Sequence, residues 1–377
     1  MAVVNADGVG LTLRNSDGTG IAFQGPFPDD LVMTTAWPGG CVSCRFTVKR
    51  KVLLTYPDLQ YATDLMLTDA QGVFWRGKIE KFRPQLGQRS ESIEVEAVQV
   101  NLTRRLIQTI TITATTTVES AFATVLSAYM PKVTTSSLAV TGRALAADLT
   151  LTKVRAANVF ARLCELGDSS NNMLGFGVWP DGAAGAYQLV LASRPTTPDY
   201  RMDASNLTGT FGFDGATYAN RQQIEYSGGA FVTVDDATAQ GVLPGGVNEI
   251  IDGPLISRTD LTSSTDATAV ATTALQLRKQ LKVTAESGDV SNPWGIVTVG
   301  TSTVLPVALW RVRAGKTLAV DGILPGGLTG TYTLARNLQW IVGTSYSFRN
   351  RVLTLTFEDY TTTQEGVIAR QYVTTQT

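Results

Sequence analysis

The chain has 377 residues, of which 44% are hydrophobic and only 17% charged, and 31 Lys and Arg against 32 Asp and Glu give a formal net charge of −1. That length holds about two to three domains and buries cores large enough to stand without disulfides. The balanced charge excludes a general nucleic-acid binder, which needs a clustered basic excess. The absence of any histidine excludes Ser-His-Asp and Cys-His catalysis, histidine metal sites and imidazole pH switching.

The N-terminal stretch Met1–Gly20 is polar and glycine-rich, without the basic start and apolar core of an export signal. No run reaches the ~20 apolar residues that span a bilayer. The expectation is a chain that folds in the cytoplasm where it is made, or is carried out by some route other than a cleaved signal. Cys41-Val42-Ser43-Cys44 has CxxC spacing, but the only other cysteine is the distant Cys164, so a four-ligand thiolate set cannot be completed. The motif runs straight into the strand-like Arg45-Phe46-Thr47-Val48 and not into the helix a redox CxxC opens. Reduced, structural cysteines are expected.

Period-two patterns dominate, with Phe46, Val48 and Val52, then Ile93, Val95 and Ala97, as apolar faces of half-buried strands. Asp69-Ala70-Gln71-Gly72 lies between two such runs and reads as a hairpin turn. Leu102 to Ile107 carries a weak helical pattern. Val118, Ala121, Phe122, Val125, Leu126 and Tyr129 then mark one helix, with Thr116 and Glu119 as a capping box and Pro131 as its stop. Ala156, Val159, Phe160, Leu163 and Leu166 mark a second, closed by Gly167 as a C′ residue. A hairpin follows, from a strand at Met173–Val178 through the turn Trp179-Pro180-Asp181-Gly182 to a strand at Tyr187–Leu191. Ala267, Val270, Ala271, Ala274, Leu277 and Leu281 mark a third helix, entered through Ser263 and Asp266. Tyr332, Leu334, Leu338 and Trp340, then Leu353, Leu355 and Phe357, return to strand periodicity. Pro-Gly-Gly turns at Pro38, Pro244 and Pro325 mark loops. The segments Leu243 to Asn248 and Ile323 to Thr329 are expected to be mobile and to order against neighbours.

These elements divide the chain into a β domain over residues 1–115, a small α+β segment over 116–200 with two helices and a hairpin, and a second β-rich region over 201–377 with an inserted helix at 265–281.

Chemical motifs are few. Gly315-Lys316-Thr317 lacks the glycine a phosphate loop needs five residues earlier, where Trp310 stands, and it leads into a strand. Asp29-Asp30 and Asp235-Asp236 have no EF-hand spacing and read as solvated loop acids. Asn101-Leu102-Thr103 and Asn206-Leu207-Thr208 read as chance matches to the glycosylation sequon. No catalytic, cofactor-binding or metal-binding residue is assigned, and the chain is read as a non-enzyme with no cofactor.

The order of segments carries more information than any one motif. Tyr56-Pro57-Asp58-Leu59, Leu65 to Asp69 and the strand Val73-Phe74-Trp75-Arg76-Gly77-Lys78-Ile79 resemble the opening β domain of bacteriophage tail hub proteins. The strand at Ile93 to Val98, the segment Leu102 to Ile107, the helix at Val118 to Tyr129 and the helix at Asn158 to Gly167 follow in the family's order. So do the hairpin ending in Ala192-Ser193-Arg194-Pro195, the alanine-rich helix at Asp266 to Leu281 and the closing segment Leu309 to Leu318. The likeness covers most of the chain and is weakest over the first forty residues.

The resemblance implies a β-rich α+β fold with two related β-barrel domains, an intervening small α/β domain and one further helix. It implies a structural virion protein, assembled in the host cytoplasm, that forms a homotrimeric hub ring closing the tail tube. Its implied partners are itself, a tail tube or distal tail protein, a tape-measure protein and tip or fibre proteins. It implies no catalytic residues, and a fused lysozyme or peptidase is expected to have no room after the last strands; the apolar runs and the charge balance give the expectation of no membrane span and no sequence-specific nucleic-acid binding.

Two other classes stay open. One is a carbohydrate-binding adhesin module, for which Trp37, Trp75, Trp179, Trp294, Trp310 and Trp340 could stack on sugars, although their strand contexts favour core packing. The other is a polysaccharide hydrolase working through two converging carboxylates.

Overall fold

The computed structural model describes residues 3–15, 19–21, 26–49, 63–84, 92–98, 105–131, 133–138, 140, 142–180, 187–195, 197–209, 212–213, 218–241, 249–279, 283–284, 287–299, 304–322 and 338–358. The fold is β-rich α+β, with one large branched sheet, three small ones and four α-helices among these residues. The sequence features at Tyr56–Leu59, Val52, Asn101–Thr103, Asp181-Gly182, 243–248, Leu281, 323–329, Tyr332 and Leu334 lie outside them.

Alternating apolar residues generate the large sheet. Gly10–Arg14 pairs antiparallel with Asp64–Asp69, which forms a hairpin with Gly72–Pro84. The turn falls at the expected place, and Gly72 has φ +107°, a region that disfavours residues with a Cβ. Ser92–Val98 bridges Gly72–Pro84 to Gly39–Lys49, and Gly39–Lys49 pairs with Val32–Ala36. Val32–Ala36 then pairs with Gly343–Ser347 of the strand Leu338–Ser347. From there the sheet continues through Val352–Phe357 to Ser287–Val290 on one side. On the other it runs through Thr317–Asp321 and Tyr200–Asp203 to Ile296–Val299. Leu353, Leu355 and Phe357 are buried as their alternation requires.

Val42 is an extra residue in the Gly39–Lys49 strand, because Ser43 pairs with Thr34 while Cys41 pairs with Thr35. A bulge of one residue shifts the side-chain alternation by one. Cys41 and Cys44, three apart, therefore both face the core, at 1% and 0% exposure.

The helices follow the periodicity with local corrections. Val118–Tyr129 is capped by Thr117 and not by Thr116, since the Thr117 hydroxyl accepts the Ser120 N–H. Glu119 does not close a capping box; its Oε1 accepts the Gly142 N–H at 2.7 Å. Ala156–Cys164 ends at Glu165, with Gly167 (φ +76°) one position beyond C′. The alanine-rich helix spans Ser264–Arg278, so it stops short of the expected 281. It buries Ala269, Thr273 and Leu275 as well as Ala267, Val270 and Ala271, while Ala274 and Leu277 are half-buried. Burial on more than one side follows from its position. Asp266 accepts the Ala146 and Ala147 N–H groups, and the Thr273 hydroxyl donates to the Leu166 carbonyl.

The helical pattern near Leu102 to Ile107 is overridden. Leu106–Ile112 is a strand paired with Leu149–Arg155, and Ile107, Ile110 and Ile112 are buried. The Trp179-Pro180 turn is also corrected. Both residues belong to the strand Leu174–Pro180 and pair with Gln188 and Tyr187.

Two hydrophobic clusters result. One combines residues from Val9 to Ile79 with residues from Trp179 to Phe357. The other gathers the first two helices and their strands with Ile224, Leu261 and the Ala267–Ala271 turn of the alanine-rich helix. The side-chain grouping thus cuts across chain order. A buried ion cluster holds the second group together. Arg258, 5% exposed, donates to Asp260 at 2.9 and 2.8 Å and to Glu165, and Arg162 lies 3.4 Å from Asp260.

The strand Leu174–Pro180 lies between the clusters. Leu174, Phe176 and Val178 face the helices, while Trp179 faces the large core. Gly175 and Gly177 share the Trp179 face and leave a slot filled by Trp37, where a Cβ on Gly175 would stand 1.9 Å from the indole nitrogen. Gly315 closes the slot, with its would-be Cβ at 2.4 Å from the ring. Overpacking a filled core costs about 1–3 kcal/mol or more. Gly175→Ala is therefore expected to lower the thermal midpoint by several degrees, and adding Trp37→Phe should recover part of the loss. Two independent losses in the double variant would show that the slot is not the coupling element.

The thiols are equally enclosed. Burial pushes Cys41 up to about 12, against a backbone N–H of Arg76 and the Arg313 charge, and burial drives Cys44 and Cys164 well above the ordinary value. Thiolate is the reactive form. A thiol-titrating disulfide reagent should find no fast-reacting cysteine in native protein and three after denaturation.

Candidate functional site

A cleft of about 320 Å³ opens where the hairpin turn at residues 69–72 meets the turn Leu309–Arg311. Its floor is sheet: Met33 and Thr35, Val73 to Trp75, Tyr200 and Thr298. Its wall is the irregular segment after Val307, containing Trp310, Arg311, Val312, Arg313 and Lys316, with Pro180 at one side. The wall is irregular because Leu309–Arg311 is a single 3₁₀ turn and Gly315 has φ +87°.

Three interactions fix that wall. The first joins positions far apart in sequence. Asp69 Oδ2 accepts Trp310 Nε1 at 3.0 Å and Arg311 Nε at 2.7 Å; Arg311 Nη2 also donates to Asp69 Oδ1 and, at 3.1 Å, to the Gly72 carbonyl. Partial burial would raise the Asp69 carboxyl, but the Arg311, Trp310 and Gln71 N–H donors outweigh it and hold it below its ordinary value. In the second, the Asp199 carboxylate accepts Lys316 Nζ at 2.8 Å and the Thr317 N–H at 3.0 Å. In the third, the Thr35 hydroxyl accepts the Ala314 N–H at 3.1 Å and lies 2.6 Å from the Thr344 hydroxyl.

Arg313 differs from its neighbours. It is exposed, its guanidinium lies 4.8 Å over the buried Trp179 ring, and among the described residues no carboxylate pairs with it. Beside it, burial pushes the Tyr200 hydroxyl up to about 12, opposed by the Arg313 charge.

The motifs weighed from sequence find other places. Gly315-Lys316-Thr317 enters a strand, and its lysine is committed to Asp199. Asp235 accepts Arg221 Nε at 2.6 Å, whereas its neighbour Asp236 takes Lys279 Nζ at 3.0 Å and the Ala239 N–H. Asp30 accepts the Thr47 N–H. The Asn206 side-chain oxygen accepts from Asn292 Nδ2. Of the tryptophans, Trp37, Trp75, Trp179 and Trp340 are buried and Trp310 is half-buried; Trp294 is 70% exposed. Sequence reading missed the Asp69–Arg311 pair, because its partners are 242 positions apart and no local spacing signals them.

No family model matches the sequence, and no curated protein matches it either. Solved structures do match in fold. A tail protein from Neisseria meningitidis MC58 aligns with a TM-score of 0.58 at 12% identity, over 95% of this chain and 99% of that one. The 43 kDa tail protein of prophage MuSo2 from Shewanella oneidensis gives 0.58 at 11% identity, over 94% and 99%. A component of the E. coli type VI secretion system, itself described as structurally similar to the T4 phage tail proteins gp27 and gp5, gives 0.50 at 13% identity, over 92% and 76%. The chain thus shares the fold of these tail proteins and of the type VI secretion component.

The wall interactions make a pH prediction. Asp69 is depressed in the folded state, so its stabilisation is complete above its unfolded value of about 3.8 and is lost as pH falls through the lower folded value. Asp69→Asn should cost about 1–2 kcal/mol near neutrality. The gap in melting temperature between wild type and variant should close below about pH 3.8; a gap that stays constant to pH 3 would contradict it.

Proposed function

We propose that this chain is a structural virion protein of a phage-type tail tip, a hub subunit that forms a homotrimeric ring closing the tail tube. The observation that carries the reading is the fold likeness along nearly the whole length of both chains to tail proteins from two different sources. The proposed partners are its own copies, a tail tube or distal tail protein, a tape-measure protein and tip or fibre proteins. Catalysis and a cofactor form no part of the role.

The sheet supports two related barrels per chain. Gly10–Arg14, Asp64–Asp69, Gly72–Pro84, Ser92–Val98, Gly39–Lys49 and Val32–Ala36 form one antiparallel run. Ile296–Val299, Tyr200–Asp203, Thr317–Asp321, Leu338–Ser347, Val352–Phe357 and Ser287–Val290 form a second run, antiparallel except where Tyr200–Asp203 pairs parallel with Thr317–Asp321, and the runs meet at Val32–Ala36. We take residues 1–115 and 201–377 as the main contributors to the two barrels, with 116–200 between. Two similar barrels in each of three chains give six positions, which suits a sixfold tube. Closed cyclic assembly satisfies such heterologous contacts without open polymerisation.

The adhesin reading is weaker, because most of the tryptophans that would stack on sugars are enclosed. Cryo-electron microscopy of assembled tails tests the proposal, and three copies of this chain around the tail axis, each with two related barrels, are expected. Six copies, a single copy, or a chain absent from the particle would refute it.

A further inference from the structure

The cleft beside Trp310 has a one-sided chemistry. Among the described residues three cations line it, Arg311, Arg313 and Lys316, and no Asp, Glu, Asn or Gln side chain does. Arg311 and Lys316 are neutralised from behind by Asp69 and Asp199, so among the described residues the unbalanced charge is that of Arg313. The hydroxyls on the floor are engaged, Thr35 with Thr344, Thr298 with the Leu305 carbonyl and Tyr200 with the Arg313 backbone N–H. The remaining surface is apolar or aromatic: Val73, Phe74, Val307, Trp310 and Pro180.

A neutral sugar offers donors and acceptors alternately and needs both in its site, commonly from carboxylate and amide side chains. This cleft supplies a cation and apolar walls, which complements an anionic group carried on an apolar body. Arg313 is pre-placed for the anion, because its stacking on Trp179 limits the conformations the guanidinium would otherwise lose on binding. At about 320 Å³ the cleft lies at the small end of ligand sites, the size of a few side chains and not of a long oligosaccharide.

The geometry points to the cleft as a docking site for an extended protein segment that places one Asp or Glu on Arg313 and flanking apolar side chains against Phe74 and Trp310. That the segment belongs to a neighbouring tail protein rests on the function proposed above; the chemistry of the cleft does not.

The test uses the purified full chain and an array of synthetic hexapeptides, each with one Glu flanked by Leu, Val, Phe, Tyr or Thr, beside a matched array with Gln in its place. A subset of the Glu peptides should bind, and their Gln counterparts should bind about ten- to hundredfold more weakly, the usual loss for a hydrogen-bonded charge pair. Arg313→Gln should produce the same loss with an unchanged melting temperature, and Arg313→Lys should restore part of it. Failure of every array peptide to bind, or binding indifferent to Arg313→Gln, would overturn the proposal. So would preferential binding of oligogalacturonate, which would assign the cleft to acidic saccharides. Each of these results leaves the tail reading to be judged separately, by the copy number seen in assembled particles.

Discussion

The structure depends on one indole in a slot made of glycines. The Trp37 ring touches the hairpin that carries Gly175 and Gly177 and the turn at Gly315, and the Trp37 backbone N–H donates to the Val342 carbonyl at 2.8 Å. Segments from two distant parts of the chain therefore converge on a single side chain, and a third is bonded to its backbone. The neighbouring contact is as close: a Cβ on Gly40 would stand 2.0 Å from the Val178 carbonyl oxygen, so the backbones of Gly39–Gly40 and Gly177–Val178 can pair in parallel only because nothing projects there. Large apolar area meeting bare backbone is how a chain with few charges holds two clusters in register without long salt-bridge networks.

That arrangement sets the shape of the cleft. With Gly315 against Trp37 and Gly315 N–H on the Ile341 carbonyl at 2.8 Å, the residues from Trp310 to Lys316 cannot follow a regular strand. They bulge outward, Arg311 finds Asp69 on the opposing hairpin, and Arg313 is left facing solvent over Trp179. The same tight packing that stabilises the junction thus produces an exposed surface cation a few residues away.

Elements with strong periodicity were legible in the sequence. The three long helices, the Asp69–Gly72 turn and the inward face of Leu353, Leu355 and Phe357 follow from local pattern alone, and the segment order already resembled the fold that the solved tail proteins display. Failures occurred where tertiary contacts overrode local preference. Leu106 and Ile107 read as a weak helical turn, yet Leu149–Arg155 offers a ladder partner and buries Ile107. Trp179-Pro180 carries turn chemistry, yet Trp179 is drawn into the large core. Glu119 leaves the expected capping box because Gly142 brings an N–H within reach. The cleft itself was illegible, since its fixing pairs join residues more than a hundred positions apart and spacing says nothing about them.

The pairing of Val32–Ala36 with Gly343–Ser347 has a consequence for biosynthesis. The Thr35 and Thr344 hydroxyls that meet at 2.6 Å lie 309 positions apart. At ribosomal rates of about 5–20 residues per second, roughly 15–60 s separate the synthesis of the two strands. Throughout that interval the nascent Val32–Ala36 hairpin has one ladder partner and a bare flank. Its threonines, Thr34 and Thr35, keep that flank partly hydrated, and Thr34 is already engaged locally, since its hydroxyl accepts the Ser43 N–H at 3.1 Å. A late strand, Leu338–Ser347, thus seals an early one, Val32–Ala36, so this step of maturation is timed by the protein's own translation.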